Sequence, residues 1–191
     1  MALSIMTHAL LAALLAGAVI SDLRSRRIPN ALVLAGIGLA IVVHAIAIAS
    51  GSMPVAGRAW WAPLAGLLVG FISLLPLYLA RITGAGDVKL MAMSGAFIGA
   101  GNVPAAILYT FMAGGALALL FMFGRGVAAQ TLANVRFMLT DWVVRASNGQ
   151  GARLEPLQTT AARLPYALAI ALGTGASLLW PLSRFTHGAA A

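Results

Sequence analysis

The chain of 191 residues contains only four acidic side chains, and two of them, Asp22 and Asp87, stand at the ends of long apolar stretches. A carboxylate forced to the centre of a bilayer costs about 2.5–3.5 kcal/mol on insertion scales. A chain this poor in acids that still keeps two at membrane edges, each beside a polar turn, marks them for chemistry. Two carboxylates can hydrolyse a peptide without a metal or a covalent intermediate. One is ionised and takes a proton from water, while the other is protonated and donates to the carbonyl. Sharing a site splits their titration, and the apparent pKa values belong to the pair. Asp87 opens a helix, where the dipole favours an anion, and Asp22 lies near a helix C-terminus, where the neutral form is favoured. This ordering predicts Asp87 as the resting base and Asp22 as the acid, provided the first helix does not run well beyond Asp22.

Each aspartate belongs to a motif. The first is Asp22-Leu-Arg-Ser-Arg-Arg-Ile-Pro-Asn30. Pro29 suits the first turn of a second helix, Asn30 can bond backbone in the turn, and the arginines suit anionic headgroups. The second is Thr83-Gly-Ala-Gly-Asp-Val-Lys89. Gly84 and Gly86 permit an unusual backbone and close approach by a substrate strand. Lys89 follows Asp87 by about 200° of helix, which disfavours direct pairing and leaves it to snorkel to headgroups, tune the dyad or meet substrate. Taken singly, the motifs are explained by a basic stop-transfer loop and a capping aspartate. Taken together on one membrane face, they exceed that explanation.

The elements that must position these residues follow from hydropathy. The chain is 61% hydrophobic and 8% charged, with a mean hydropathy of +0.97, far from the roughly 25% charge of globular domains. An all-α, polytopic membrane helix bundle is expected. The spans fall at roughly Ala2–Ser21, Pro29–Ala49, Trp60–Ala80, Asp87–Gly101, Val103–Gly124 and Leu164–Leu182. The N-terminus lacks the basic n-region of a signal peptide and reads as a retained span with its start outside. Arg24, Arg26, Arg27, Arg81, Lys89, Arg125, Arg136, Arg145, Arg153 and Arg163 then fall inside, with only Arg58 and Arg184 outside, a strong positive-inside asymmetry. Both aspartates therefore lie at the inner face. The net charge of +8 serves topology and contact with membrane lipids rather than nucleic acid.

Residues 125–163 are expected to form a cytoplasmic loop. Within it Leu132, Val135, Leu139, Trp142 and Val143 share one helical arc and Asn134, Asp141 and Arg145 the other, as in an interfacial amphipathic helix; the stretch Ser147–Gln158 reads as a mobile loop. Gly66-x-x-x-Gly70 and Gly95-x-x-x-Gly99 predict close helix packing. The chain has no cysteine, which excludes disulfides and thiolate chemistry. His8, His44 and His187 show no metal-ligand spacing, Ser21, Ser73 and Ser94 lack a partner base, and no cofactor is called for.

DLRSRRIPN after a first span, GAGDVKLMAMSGAFIG at the fourth and Arg163-Leu-Pro-Tyr-Ala-Leu-Ala-Ile170 at the last together resemble the bacterial type IV prepilin peptidases, the GxGD intramembrane aspartic proteases. The resemblance implies one membrane-embedded peptidase domain over residues 1–191, in the inner membrane, with Asp22 and Asp87 as the catalytic pair. It also implies removal of a short basic leader, after glycine, from prepilin or pseudopilin substrates at the cytoplasmic face. Many relatives carry an N-terminal domain with paired CxxC motifs linked to methylation. This chain starts at the first span and resembles the short forms of Flp/Tad pili. Ala167 stands where relatives often have glycine. The competing expectations are a small proton-coupled transporter, which would hold carboxylates nearer mid-membrane and often show inverted repeats, and a non-catalytic pilus or secretion scaffold, which would tolerate loss of either aspartate.

Overall fold

The computed structural model describes residues 2–124 and 166–180, together with positions 126, 133, 136, 137, 140, 143 and 144. Among these the bounded elements are all helical: α1 (Ala2–Ser25), α2 (Asn30–Ala49), α3 (Ala62–Leu79), α4 (Ala85–Ile98), α5 (Val103–Gly124) and α6 (Tyr166–Leu179). The chain forms two compact units, Met1–Gly114 with Pro165–Ala191, and Gly115–Leu164. In the second unit Ala133, Arg136, Phe137, Thr140, Val143 and Val144 are helical, and the Thr140 hydroxyl donates to the Arg136 carbonyl at 2.6 Å. The remaining members of the expected amphipathic arcs, and the expected mobile loop, lie outside the described residues.

Four helices, α1, α2, α3 and α5, are long and apolar enough to cross a membrane. With α4 and α6 at 14 residues each, they stand in place of six full spans. Fourteen residues reach only about 21 Å, short of a hydrocarbon core of about 30 Å. Ile5, Leu34, Val42, Leu68, Ile72 and Met112 are among the large apolar side chains left exposed, a distribution that suits lipid rather than water.

The first unit is organised around α4. Every residue from Leu90 to Ile98 is buried, so this helix is enclosed on all sides, as a helix without a polar face must be. The other helices meet it or each other through narrow buried stripes. On α1 the buried positions are Thr7, Leu11, Leu15 and Ala18, and one more turn along this stripe falls Asp22. On α3 they include Gly66, Gly70 and Leu74.

The two glycine pairs of the sequence pack against each other. A Cβ on Gly66 would strike the Gly95 carbonyl, a Cβ on Gly95 would strike the Gly66 carbonyl, and a Cβ on Gly70 would lie 2.6 Å from the Met91 carbonyl oxygen. The helices α3 and α4 thus touch backbone to backbone, the arrangement small-x-x-x-small pairs permit. Gly99 ends α4 at φ +77 with the Ala56 carbonyl directly against it, and there only glycine combines that backbone with that contact.

The ends of the first unit differ in character. At one end the chain passes from α1 to α2 and from α3 to α4. At the other, the His44 ring is buried and its Nε2 lies 2.9 Å from the Ala59 carbonyl oxygen, a packing role that fits the absence of metal-ligand spacing. Trp60 and Trp61 are exposed beside it, as interfacial tryptophans are.

Because the Gly66–Gly95 contact is between main chains, neither side can yield by rotating. Gly95→Ala should therefore destabilise by about 1–3 kcal/mol or more, seen as a lower thermal midpoint in detergent. Gly38→Ala, where a Cβ meets open space, should leave the midpoint unchanged or raise it through helix propensity. Equal midpoints for Gly95→Ala and the unsubstituted chain would show that α3 and α4 are not held this way.

Candidate active site

The site is built where α1 ends, α2 and α4 begin and α6 begins. The helix α1 runs one turn past Asp22 and stops at Arg26, whose φ is +52 and whose N–H donates to the Asp22 carbonyl at 2.9 Å. The basic loop is folded back onto α1, since the Ser21 hydroxyl donates to the Arg27 carbonyl at 2.8 Å. Pro29 is the residue before α2, at φ −62 and ψ 130, a position its ring favours. It precedes the helix rather than forming its first turn.

The chain from α3 into α4 is set by a similar device. Arg81, at φ +60, closes α3: its N–H donates to the Tyr78 carbonyl and that of Ile82 to the Leu77 carbonyl, both at 2.9 Å, the bond pattern of a Schellman cap. The chain then reaches Gly84, the residue before α4, in an ordinary extended conformation (φ −80, ψ 153). The expected unusual backbone at the glycines is therefore absent. What glycine provides here is bareness: a Cβ on Gly84 would lie 3.4 Å from the Asp87 Oδ2, and a Cβ on Gly86 would lie 3.4 Å from Ile28. Ile28 belongs to the basic loop, so Gly86 is where the two motifs touch.

They are also tied by side chains. Lys89 Nζ donates to the Asn30 Oδ1 at 3.0 Å. Asn30 was expected to bond backbone in its own turn; its carbonyl oxygen instead takes a cation from α4. Both residues are exposed, so the bond orders a surface rather than supporting the core.

Asp87 Oδ2 accepts from the Gly84 N–H at 3.0 Å, so it does cap its own helix, the role an aspartate in the first turn commonly has. It has a second relation as well. Asp87 lies outside the four long apolar helices, and burial pushes its carboxyl above the usual carboxylate range. The Gly84 hydrogen bond partly offsets this, and the negative charge of Asp22 pushes the same way as burial. The two aspartates are near enough for the charge of Asp22 to oppose ionisation of Asp87.

Asp22 Oδ2 accepts a hydrogen bond from the Ala167 N–H, at 3.2 Å, in the first turn of α6. The preceding residue, Tyr166, is half-buried, faces Gly114, where a Cβ would lie 3.2 Å from its ring, and lies within reach of the Asp87 charge. One helix start therefore addresses both aspartates. This was not visible in the sequence. The Pro-Tyr element could be noticed, but no spacing rule links it to Asp22.

The geometry adds neighbours and burial that the helix-end reading of acid and base did not count. Asp22 was placed near a helix C-terminus, yet α1 continues beyond it and its carboxylate faces the N-terminal end of α6, where negative charge is welcome. Asp87 was placed at a helix N-terminus, which is correct, but burial outweighs the favourable backbone donor. Among the described residues no group of His, Cys, Asp or Glu could hold a metal ion.

An all-helical bundle with four helices long and apolar enough to cross a membrane, and two carboxylates at one end, defines a class of membrane protein rather than a particular enzyme. A family model of the type IV leader peptidases matches residues 9–119, which includes both aspartates. The chain belongs to the type IV leader peptidase family and is a type IV prepilin peptidase, a hydrolase of the membrane. No curated protein and no solved structure matches it.

Titration by infrared spectroscopy checks the electrostatics. The Asp87 C=O band should persist above the pH at which an exposed aspartate, at about 3.9, has ionised. It should vanish in Asp87→Asn. In Asp22→Asn it should disappear at lower pH than in the unsubstituted chain, because one of the charges opposing ionisation is gone. A band that ignores Asp22→Asn would separate the two groups.

Proposed function

We propose that Asp22 and Asp87 form a catalytic aspartic dyad. It removes the short basic leader of Flp/Tad-type prepilins or pseudopilins, after glycine, at the cytoplasmic face of the bacterial inner membrane. The observation that carries this is the convergence of two carboxylates, remote in the chain, at one end of the bundle, where the charge of one acts on the other.

The reaction follows from their surroundings. Asp87, whose protonated form is favoured by burial and by its neighbour, donates to the scissile carbonyl oxygen. Asp22, facing the start of α6, takes a proton from the attacking water. The oxygen of that water bonds to the carbonyl carbon, the C–N bond breaks, and a proton passes to the departing amine. Neither step calls for a metal or cofactor. Gly84 and Gly86 leave the main chain bare beside Asp87, which suits an extended substrate strand with glycine before the cut. Pro29, Asn30 and Lys89 shape the adjoining surface.

The cytoplasmic assignment rests on charge. Arg24, Arg26, Arg27, Arg81 and Lys89 all belong to the segments at the aspartate end of the first unit, while Arg58 belongs to the opposite end. That is the asymmetry the positive-inside rule associates with the cytoplasm. A pilin precursor, with an apolar helix in the bilayer and a polar leader before it, would present its scissile bond at that depth. The sequence carries no cysteine, which suits the Flp/Tad-type reading. Membership of a peptidase family favours this reading over the transporter expectation.

Co-expression with a Flp-type prepilin tests the proposal. Asp22→Asn and Asp87→Asn should each lower leader removal by at least about 100-fold while the protein stays in the membrane. Asp141→Asn should cleave normally. Full processing by both dyad variants would defeat the proposal while leaving family membership intact.

A further inference from the structure

We propose that the backbone N–H of Ala167 is a positioning group for the reaction, fixing the Asp22 carboxylate from the first turn of α6. The inference rests on the dyad reading above and goes beyond it by adding a third element to the site.

The buried stripe of α1 carries Asp22 inward, but Asp22 lies in the last turn of that helix, and the helix alone does not fix the direction of its carboxylate. Among the described residues one hydrogen bond holds it, from Ala167 to Oδ2 at 3.2 Å. Asp87 is held in the matching way, through its Oδ2, by the Gly84 N–H at 3.0 Å. Among the described residues each aspartate thus has one oxygen fixed by a main-chain donor and its other oxygen without a protein hydrogen bond. A main-chain donor neither titrates nor changes rotamer, so it fixes direction without competing for the proton being moved.

The donor on Asp87 belongs to its own loop. The donor on Asp22 comes from a different helix, so its value depends on how firmly α6 is seated. That seating is tight. A Cβ on Gly173 would strike Thr110 of α5, and Gly114 admits the Tyr166 ring. Ala167, Ala169 and Ile170 are each buried. The helix cannot shift by a fraction of an ångström without opening these contacts, and the Ala167 N–H is carried along with it. Orientation of Asp22 is thereby coupled to the packing of α6.

The test uses the full chain in detergent with a synthetic Flp-type prepilin. Ala167→Pro removes the donor at a helix start, where proline is tolerated, and Ala167→Gly retains it. A third form, in which the Tyr166–Ala167 peptide is replaced by an ester through the α-hydroxy analogue of alanine, removes the N–H and leaves every side chain in place. It decides the matter should the proline form fail to fold.

The ester form should lose about 10-fold in kcat with KM within about twofold. The infrared carboxyl band assigned by Asp22→Asn should move, and Ala167→Gly should keep both band and kcat. An ester form with unchanged kcat and an unmoved band overturns the role of α6. Asp22→Asn in the same assay separates the two ideas: if it is inactive, only the positioning role has failed, and if it cleaves, the dyad reading falls and takes this inference with it.

Discussion

The main-chain contact between α3 and α4 is the constraint from which the rest of the first unit follows. Lipid gives little driving force for helices to associate, so close approach and dispersion must supply it. Gly66 and Gly70 on one helix, against Gly95 and Met91 on the other, allow a separation no side chain would permit. Once α4 is held there, a helix too short to reach both faces of a bilayer can lie wholly inside protein. Its first turn then comes to one end of the unit, and with it Asp87. A longer α4, or one with side chains in place of those glycines, would place the aspartate elsewhere.

Much of this was legible from residue pattern. The scarcity of acids picked out Asp22 and Asp87, and hydropathy gave the helices to within a few residues at most of their ends. The glycine pairs announced a close contact, although not that they were partners of each other. What the pattern could not supply was tertiary. That α1 continues past Asp22 depends on Arg26 accepting a left-handed backbone at φ +52, where glycine would be the ordinary signal. That Lys89 meets Asn30, and Ala167 meets Asp22, depends on which helix ends are brought together. Periodicity within a segment is blind to this. The expected acid and base were likewise read from each aspartate's own helix, with its neighbours and its burial left out.

Residues flagged for one reason also turned out to act for another. Gly84 was singled out for conformational freedom, and its backbone is ordinary; its use lies in having no side chain beside the Asp87 carboxylate. Asn30 was singled out for its turn and instead binds a cation from another motif. In both cases the residue type was informative and the stated mechanism was not, because the same chemistry (a missing Cβ, a free amide oxygen) serves local and long-range ends equally.

The two carboxylates end in environments that differ in kind. Asp87 is anchored by a donor from its own loop, and burial pushes its carboxyl above the usual carboxylate range. Asp22 is anchored by a donor from a helix remote in the chain. A symmetric pair would have to break its equivalence each time a water was to be activated. Here the inequality is built into the fold, through one helix that is enclosed and another that points its first turn at the site. The setting of Asp22 then depends on α6 staying in register with α1. That dependence ties a helix that begins at Tyr166 to an acid in the first half of the sequence.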